Sequence, residues 1–281
     1  MALFGNYMKE GPGVDKNEKK KRGIFLYSDV VTRKFFQLMK LNILYVIFSL
    51  PFLAIAMFLF APYICDAVGL SSLFSNVENS SVAVISFYAM LAFAMLNIFG
   101  SGPASASYAY ISRCFTRGEH VWVWSDGVSK FKENFKSSMI MVILDFVLLF
   151  LVVNAVVFYS RVANGGAFLI LIKYILILCF VLYMMAHIFI YQLMVTYDNK
   201  LRDVIKNAIL LTLAKAPMCF VITLVTGAIF FVIFYFIPIF SIPVYILVGL
   251  TFTKFTLEFY GVRVIEKNIG NNKNSERAEE E

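Results

Sequence analysis

Charge is scarce in this chain. Asp, Glu, Lys and Arg make up 15% of its 281 residues, against roughly 25% in soluble domains. Histidine is scarcer still: with only His120 and His187, the chain cannot form the H-E-x-x-H metal site of a metalloprotease. G-x-S-x-G and a Walker A sequence are also absent, so no nucleophile with a positioned base can be named. We read the chain as a non-enzyme without cofactor or metal, in which any ATP-driven step needs another subunit. The four cysteines, Cys65, Cys114, Cys179 and Cys219, contain no C-x-x-C pair and fall at different depths of the spans given below. That spacing excludes a disulfide framework and a zinc site, and Cys179 and Cys219 read as small core hydrophobes.

What the chain has in excess is apolar surface. It is 60% hydrophobic, with thirty Phe, fifteen Tyr and twelve Met, and its mean hydropathy is +0.77. Soluble domains are roughly 45–50% apolar, so the expected class is an all-α polytopic membrane protein. Six apolar runs approach the roughly 20 residues a bilayer-spanning helix needs: Leu41 to Ile64, Val82 to Ile98, Ser138 to Phe158, Phe168 to Val195, Pro217 to Phe236, and Ile242 to Phe259. Pro51 predicts a kink midway along the first. The expected organisation is a basic arm over 1–27, one six-span domain over 28–267 and a disordered polar tail over 268–281. The polar start of the chain lacks the apolar core and cleavage pattern of a secretory signal, so both ends are expected to be kept.

The net charge of +7 would suggest nucleic acid in a soluble protein, but here its distribution matters more than its sum. Of the 25 Lys and Arg residues, 23 lie in the N-terminal segment, in the connections after the second and fourth spans, or from the last span onward. The other connections hold only Arg161, and Lys173 lies just inside the fourth span, where it can snorkel. The positive-inside rule therefore places both termini in the cytoplasm, in agreement with an even number of spans. The stretch "KEGPGVDKNEKKKR", Lys9 to Arg22, has the wrong spacing for a phosphate loop. It reads as a cytoplasmic arm whose lysines sit against anionic lipid at roughly 1 kcal/mol per basic residue. Nucleic acid is not an expected partner.

Each odd-numbered span is preceded by a basic amphipathic segment: "SDVVTRKFFQLMKLN", "SDGVSKFKENFKSS" and "YDNKLRDVIKNAILL". In the first, Val31, Phe35, Leu38 and Met39 share a face, with Ser28 or Asp29 available as a cap. Each segment also contains an asparagine, Asn42, Asn134 or Asn207. The expected architecture is three helical hairpins, each introduced by an amphipathic helix at the cytoplasmic surface. Basic helix starts also arise from topology alone, so the likeness does not establish a repeat. The connection after span two, "NIFGSGPASASYAYISRCFTRGE", differs. Gly100, Gly102 and Pro103 break the helix, small residues support a second short helix, and Gly118 closes it. It reads either as a cytoplasmic docking or gating element or, more simply, as a broken helix packed on the bundle. Trp122 and Trp124 suit an interfacial belt.

Four ionisable residues lie inside apolar runs: Asp145, His187, Lys254 and Glu258. In the expected orientation they fall toward one side of spans three, four and six and form one candidate polar layer. Such a layer can relay protons, coordinate a cation or bind a polar solute. The structural reading pairs Lys254 with Glu258 across one helical turn and gives Asp145 an interhelical donor. Asn154 reads as a packing hydrogen bond. Candidate contacts to lipid or a cytoplasmic partner are Lys19, Lys20, Lys21, Arg22, Arg33, Lys34, Arg113, Arg117, Lys130 and Lys132.

Taken in order, "GPGVDKNEKKK" leading to "RKFFQLMKLNILY" and Pro51, then "GPASASYAYISRCFTRGE" followed by "WSDGVSKFKENFK", then "YDNKLRDVIKNAILL" resemble the YesL-like family of bacterial integral membrane proteins. The resemblance spans most of the chain. It implies a bacterial plasma-membrane setting and association with carbohydrate ABC import systems, and it carries over no catalytic residues. The leading expectation is an accessory or regulatory membrane component of such a system, with importer subunits and anionic lipids as partners. The alternative is a small-solute or ion transporter that uses the polar layer.

Overall fold

The computed structural model describes residues 23–68, 81–162, 166–197, 199–236 and 241–279. The arm carrying Lys19, Lys20, Lys21 and Arg22 lies outside the described residues. Every regular element among the described residues is helical. α1 is Ile24–Arg33; α2 is Phe35–Ile55, which passes through a π turn, Ala56–Phe60, into α3, Ala61–Val68. α4 is Ser81–Ile98, α5 Pro103–Arg117, α6 Val123–Glu133 and α7 Phe135–Val162. α8 is Ala167–Thr196, α9 Leu201–Ala214 and α10 Ala216–Phe236. The last span is irregular: α11, Ser241–Val244, a π turn Tyr245–Gly249, α12, Leu250–Phe252, and α13, Lys254–Glu279.

Five helical stretches are long and apolar enough to cross a bilayer: Phe35–Asp66, Phe135–Val162, Ala167–Thr196, Ala216–Phe234 and Ser241–Asn268. A sixth forms if Phe87–Ile98 and Pro103–Arg117, bent by 58° at their junction, count as one broken span. This is a multi-pass membrane protein, and the six apolar runs of the sequence correspond to its long helices. Leu151 (60% exposed), Leu178 (59%) and Leu224 (58%) stand open on α7, α8 and α10. Lipid is the medium that accepts such surfaces.

The amphipathic lead-ins exist as α1, α6 and α9, but they end earlier than the apolar pattern suggests. One residue separates each from its span: Lys34 (φ −110°, ψ 20°), Asn134 (φ −95°, ψ 8°) and Lys215 (φ −121°, ψ 21°). At each, the N–H still donates to the carbonyl four residues back and the carbonyl still accepts from the N–H four residues on. The chain therefore bends without losing backbone hydrogen bonds, which is what a hinge in low-dielectric surroundings requires. The three hairpins thus share a local geometry, although their asparagines do not correspond. Only Asn134 is a hinge; Asn42 is buried inside α2 and Asn207 lies within α9.

Several local expectations change. Ser28 and Asp29 are interior to α1 and do not cap it; Asp29 instead pairs with Arg33 at 3.0 Å. The helix runs through Pro51, and the irregularity comes at the π turn that follows. Cys179 is exposed, unlike Cys219, which is buried. The expected tail from 268 lies in α13, which continues to Glu279.

α5 sits at the centre. From Ser101 to Ala109 every residue is buried, as are Ile111, Ser112, Cys114, Phe115 and Thr116. It packs against α1, α2, α6, α7, α8 and α13. Small side chains permit this: Ala104, Ser105, Ala106 and Ala109 let neighbouring backbones approach closely where lipid supplies no hydrophobic drive. Gly102, at φ 67°, starts the helix against α7, where an added Cβ would lie 2.7 Å from Val142 Cγ2. Gly118, in the left-handed conformation, ends it as expected. The packed-helix reading of this segment is the one the structure displays.

Candidate functional site

Polar side chains in the bundle interior are tied into networks, as groups without access to water must be. Asn42 donates to Thr251 Oγ1 at 2.9 Å and accepts from the Tyr108 hydroxyl at 3.1 Å, which joins α2, α5 and α12. The Ser49 and Ser101 hydroxyls meet at 2.6 Å, and Tyr45 donates to Leu96 O at 3.2 Å. Asn97 bonds the Tyr245 hydroxyl, which in turn meets Thr253 Oγ1 at 2.9 Å. Asn154 donates to the Tyr63 hydroxyl at 2.5 Å, the packing role expected of it.

The four ionisable residues form two clusters. On α7 and α8, Asp145 Oδ1 accepts from the Tyr183 hydroxyl at 2.5 Å and meets His187 Nε2 at 3.1 Å. Asp145 and His187 are 2% and 6% exposed. Asp145 Oδ2 and His187 Nδ1 have no hydrogen-bond partner. Spacing explains part of this: Tyr183 and His187 are four apart on α8 and therefore share a face toward α7. The His187 ring also stands edge-on to Phe99 at 5.5 Å.

In the second cluster, Lys254 Nζ lies 3.6 Å from Glu258 Oε1, one turn along α13. Both residues are 4% exposed. Gln192 of α8 donates to Glu258 Oε2 at 2.7 Å and to Ala109 O of α5 at 3.0 Å. The ammonium also lies 4.9 Å from the centre of the Tyr45 ring and 5.6 Å from that of Tyr108. Aromatic faces stabilise a desolvated cation. α13 reaches α8 because residue 261 is glycine: a Cβ there would fall 2.6 Å from Ile188 O.

The two clusters border one cavity of about 280 Å³ between α4, α8, α10 and α13. His187, Lys254 and Glu258 line it, together with Thr223, Thr226 and Gly227 of α10. Asp145 is not on its wall; it stands behind His187 and orients that ring. The expected single layer is therefore a lined cavity with one carboxylate in support. Such a site offers an ammonium, a carboxylate and an imidazole beside apolar walls, the pattern of a small-molecule pocket.

Residues 38–155 match the family described as protein of unknown function, DUF624. No curated protein and no solved structure matches the chain. The DUF624 segment contains Asn97, Gly100 and Asp145, whereas His187, Lys254 and Glu258 come from outside it. The cavity is thus built jointly by that segment and the rest of the chain. Among the described residues, no group of three His, Cys, Asp or Glu is placed to hold a metal.

The candidate surface residues separate into two sets. Arg113 donates to Val195 O at 3.1 Å and Thr196 Oγ1 at 2.9 Å, which anchors α5 to the end of α8. Arg117 pairs with Glu266 at 2.8 Å, and Lys130 with Glu133 at 2.6 Å. Lys34 lies 4.6 Å above the Phe115 ring and donates to Glu119 O at 3.5 Å; burial there lowers its pKa from the usual lysine range. Arg33 and Lys132 are exposed. Sequence reading missed Tyr183, Gln192, Tyr45 and Tyr108, because tyrosine counts as apolar in a hydropathy profile and a lone glutamine in a long apolar helix gives no charge signal. A polar residue one helical turn from an intramembrane charge is the signal that would have found Tyr183, four residues before His187; Gln192 carries no such mark.

Proposed function

We propose that this protein binds a small solute within its membrane domain and takes part in moving that solute across the bilayer. One observation carries the reading: His187, Lys254 and Glu258, each at least 94% buried, converge on a cavity of about 280 Å³. Ionisable groups at such depth are costly, and in membrane proteins they mark solute and ion pathways. The YesL-like resemblance supports a bacterial plasma-membrane setting, and the Lys and Arg distribution supports cytoplasmic termini. The test is uptake of labelled sugars, amino acids and monovalent cations into proteoliposomes. We expect at least one to enter faster than into protein-free vesicles, with the excess lost in His187→Ala and in Lys254→Met. Flux that survives both substitutions, or no excess flux, rejects this pathway.

A second reading, an accessory component of a carbohydrate importer, is favoured by the end of the molecule that carries α1 and α6. There Trp122 and Trp124 are 70% and 59% exposed, and Arg33 of α1 and Lys132 of α6 are exposed as well. Aromatic and basic side chains together suit a membrane interface or a partner. Affinity purification at natural abundance from native membranes is expected to recover an importer permease or ATPase; recovery of neither removes this reading.

A further inference from the structure

Lys254 is the unusual member of the cavity wall. Its ammonium is buried, and the carboxylate oxygen closest to it in the pair with Glu258 is 3.6 Å away, beyond hydrogen-bonding distance. Two tyrosine rings flank it, but a ring face accepts charge without replacing a lone pair, and an ammonium carries three donors. Glu258 is differently placed, because Gln192 already donates to it at 2.7 Å. The wall therefore combines an ammonium held only loosely by its carboxylate with a carboxylate that Gln192 already engages. Thr223, across the cavity on α10, adds a hydroxyl without a partner.

The charge balance narrows the ligand further. On the wall, the Lys254 cation and the Glu258 anion offset each other. An anionic ligand that captured Lys254 would leave Glu258 as a surplus buried charge, and a cationic ligand would displace Lys254 from its carboxylate. Either outcome is expensive in a low-dielectric interior. An uncharged oxygen accepts from Lys254 without either cost. Phe99, Phe230 and Leu257 supply apolar wall for the remainder of the molecule. A cavity of about 280 Å³ has room for a single ring or a short chain.

We infer that the cavity is a binding site for a small uncharged molecule with hydroxyl or carbonyl oxygen on one side and an apolar face on the other, held by Lys254. The inference deepens the solute-binding reading above and rests on it, but its test reads binding and not transport. Gly227 provides the control. It lines the cavity at an exposed position, and a Cβ added there meets nothing within 4 Å, so Gly227→Leu adds bulk at the open side of the cavity while leaving both charged residues in place.

The experiment uses the full-length protein in lipid nanodiscs and three probes of one shape: cyclohexane-1,2-diol, cyclohexanecarboxylate and cyclohexylammonium. Saturation-transfer NMR reports binding of each, and size-exclusion profiles confirm that the variants are folded. The diol is expected to bind wild type more tightly than either charged probe. Its Kd should rise about tenfold or more in Gly227→Leu, and in the double variant Lys254→Met with Glu258→Gln, which removes the donor without stranding a charge. Tighter binding of the carboxylate or ammonium probe, no diol binding, or diol binding unchanged in Gly227→Leu overturns the inference. Diol binding without any solute flux would reject the transport reading and leave the site standing.

Discussion

α5 and α10 invert what their sequences would mean in water. α10 is almost wholly apolar, yet Phe220, Val221, Leu224, Val225, Phe231 and Val232 lie open on its surface. α5 is rich in serine, alanine and tyrosine, yet it is buried from its first residue through most of its length. In a bilayer, hydropathy does not distinguish the helix that faces lipid from the helix that faces protein, because lipid tails are as apolar as leucine. Side-chain size and hydrogen-bonding capacity make that distinction. Small residues let α5 come close to six neighbours, and its hydroxyls, Ser105, Ser107 and Tyr108, bond to α2 and to the backbone of α6.

The same leucine placed in each region should separate them most widely. Gly102→Leu puts a side chain at φ 67°, against Val142 and Ser138 O, and combines backbone strain with overpacking. We expect a loss of about 4 kcal/mol, seen as a collapse of the monodisperse fraction and of the thermal midpoint in detergent. Gly227→Leu on α10 should leave both near wild type. Equal tolerance at the two sites would mean that α5 is not the tightly packed centre of the bundle.

The polar clusters belong to the α5 side of this contrast and predict the next effects. Lys254→Met strands Glu258 and should cost about 3 kcal/mol, whereas the double variant with Glu258→Gln should cost clearly less. Stability equal in the single and double variants would show that the two charges are not coupled. Asp145→Asn weakens two charge-assisted contacts, to Tyr183 and His187, and should cost about 2 kcal/mol. A thermal midpoint unchanged in that variant would remove the structural role of the cluster.

Legibility in the sequence followed the same physics. Hydropathy marked the long helices because apolar length is what a bilayer demands. The glycines and Pro103 marked the break before α5, because a positive φ and a missing N–H end a helix wherever they occur. The packing of α5 was legible in its small residues, which read as a broken helix packed on the bundle, but its central place was not, since composition does not say how many neighbours such a helix meets. Hinges at Lys34, Asn134 and Lys215 were hidden for a related reason: each keeps its hydrogen bonds, so no proline or glycine has to mark it. The charged members of the site were visible as charges in the wrong solvent. Their uncharged partners, Tyr183 and Gln192, were not, because only the packing of α8 against α7 and α13 brings them into range.

The exposed end of α5 gives the smallest effect and a test of where its buried character stops. Arg117, in the last turn, donates Nε to Glu266 Oε1 at 2.8 Å, with the two side chains 37% and 30% exposed. Geometry alone would rank this contact above the 3.6 Å pair of Lys254 and Glu258. Solvent reverses the ranking: an exposed pair is screened, and removing one partner leaves the other hydrated. Arg117→Ala should therefore cost about 0.5 kcal/mol in low salt and less as salt rises. By contrast, the penalty of Lys254→Met should depend far less on salt, because Lys254 and Glu258 are each only 4% exposed. The thermal midpoints of both variants, measured across a salt series in one detergent, decide the matter. A salt-insensitive loss of several kcal/mol for Arg117→Ala would extend the buried core of α5 through its final turn.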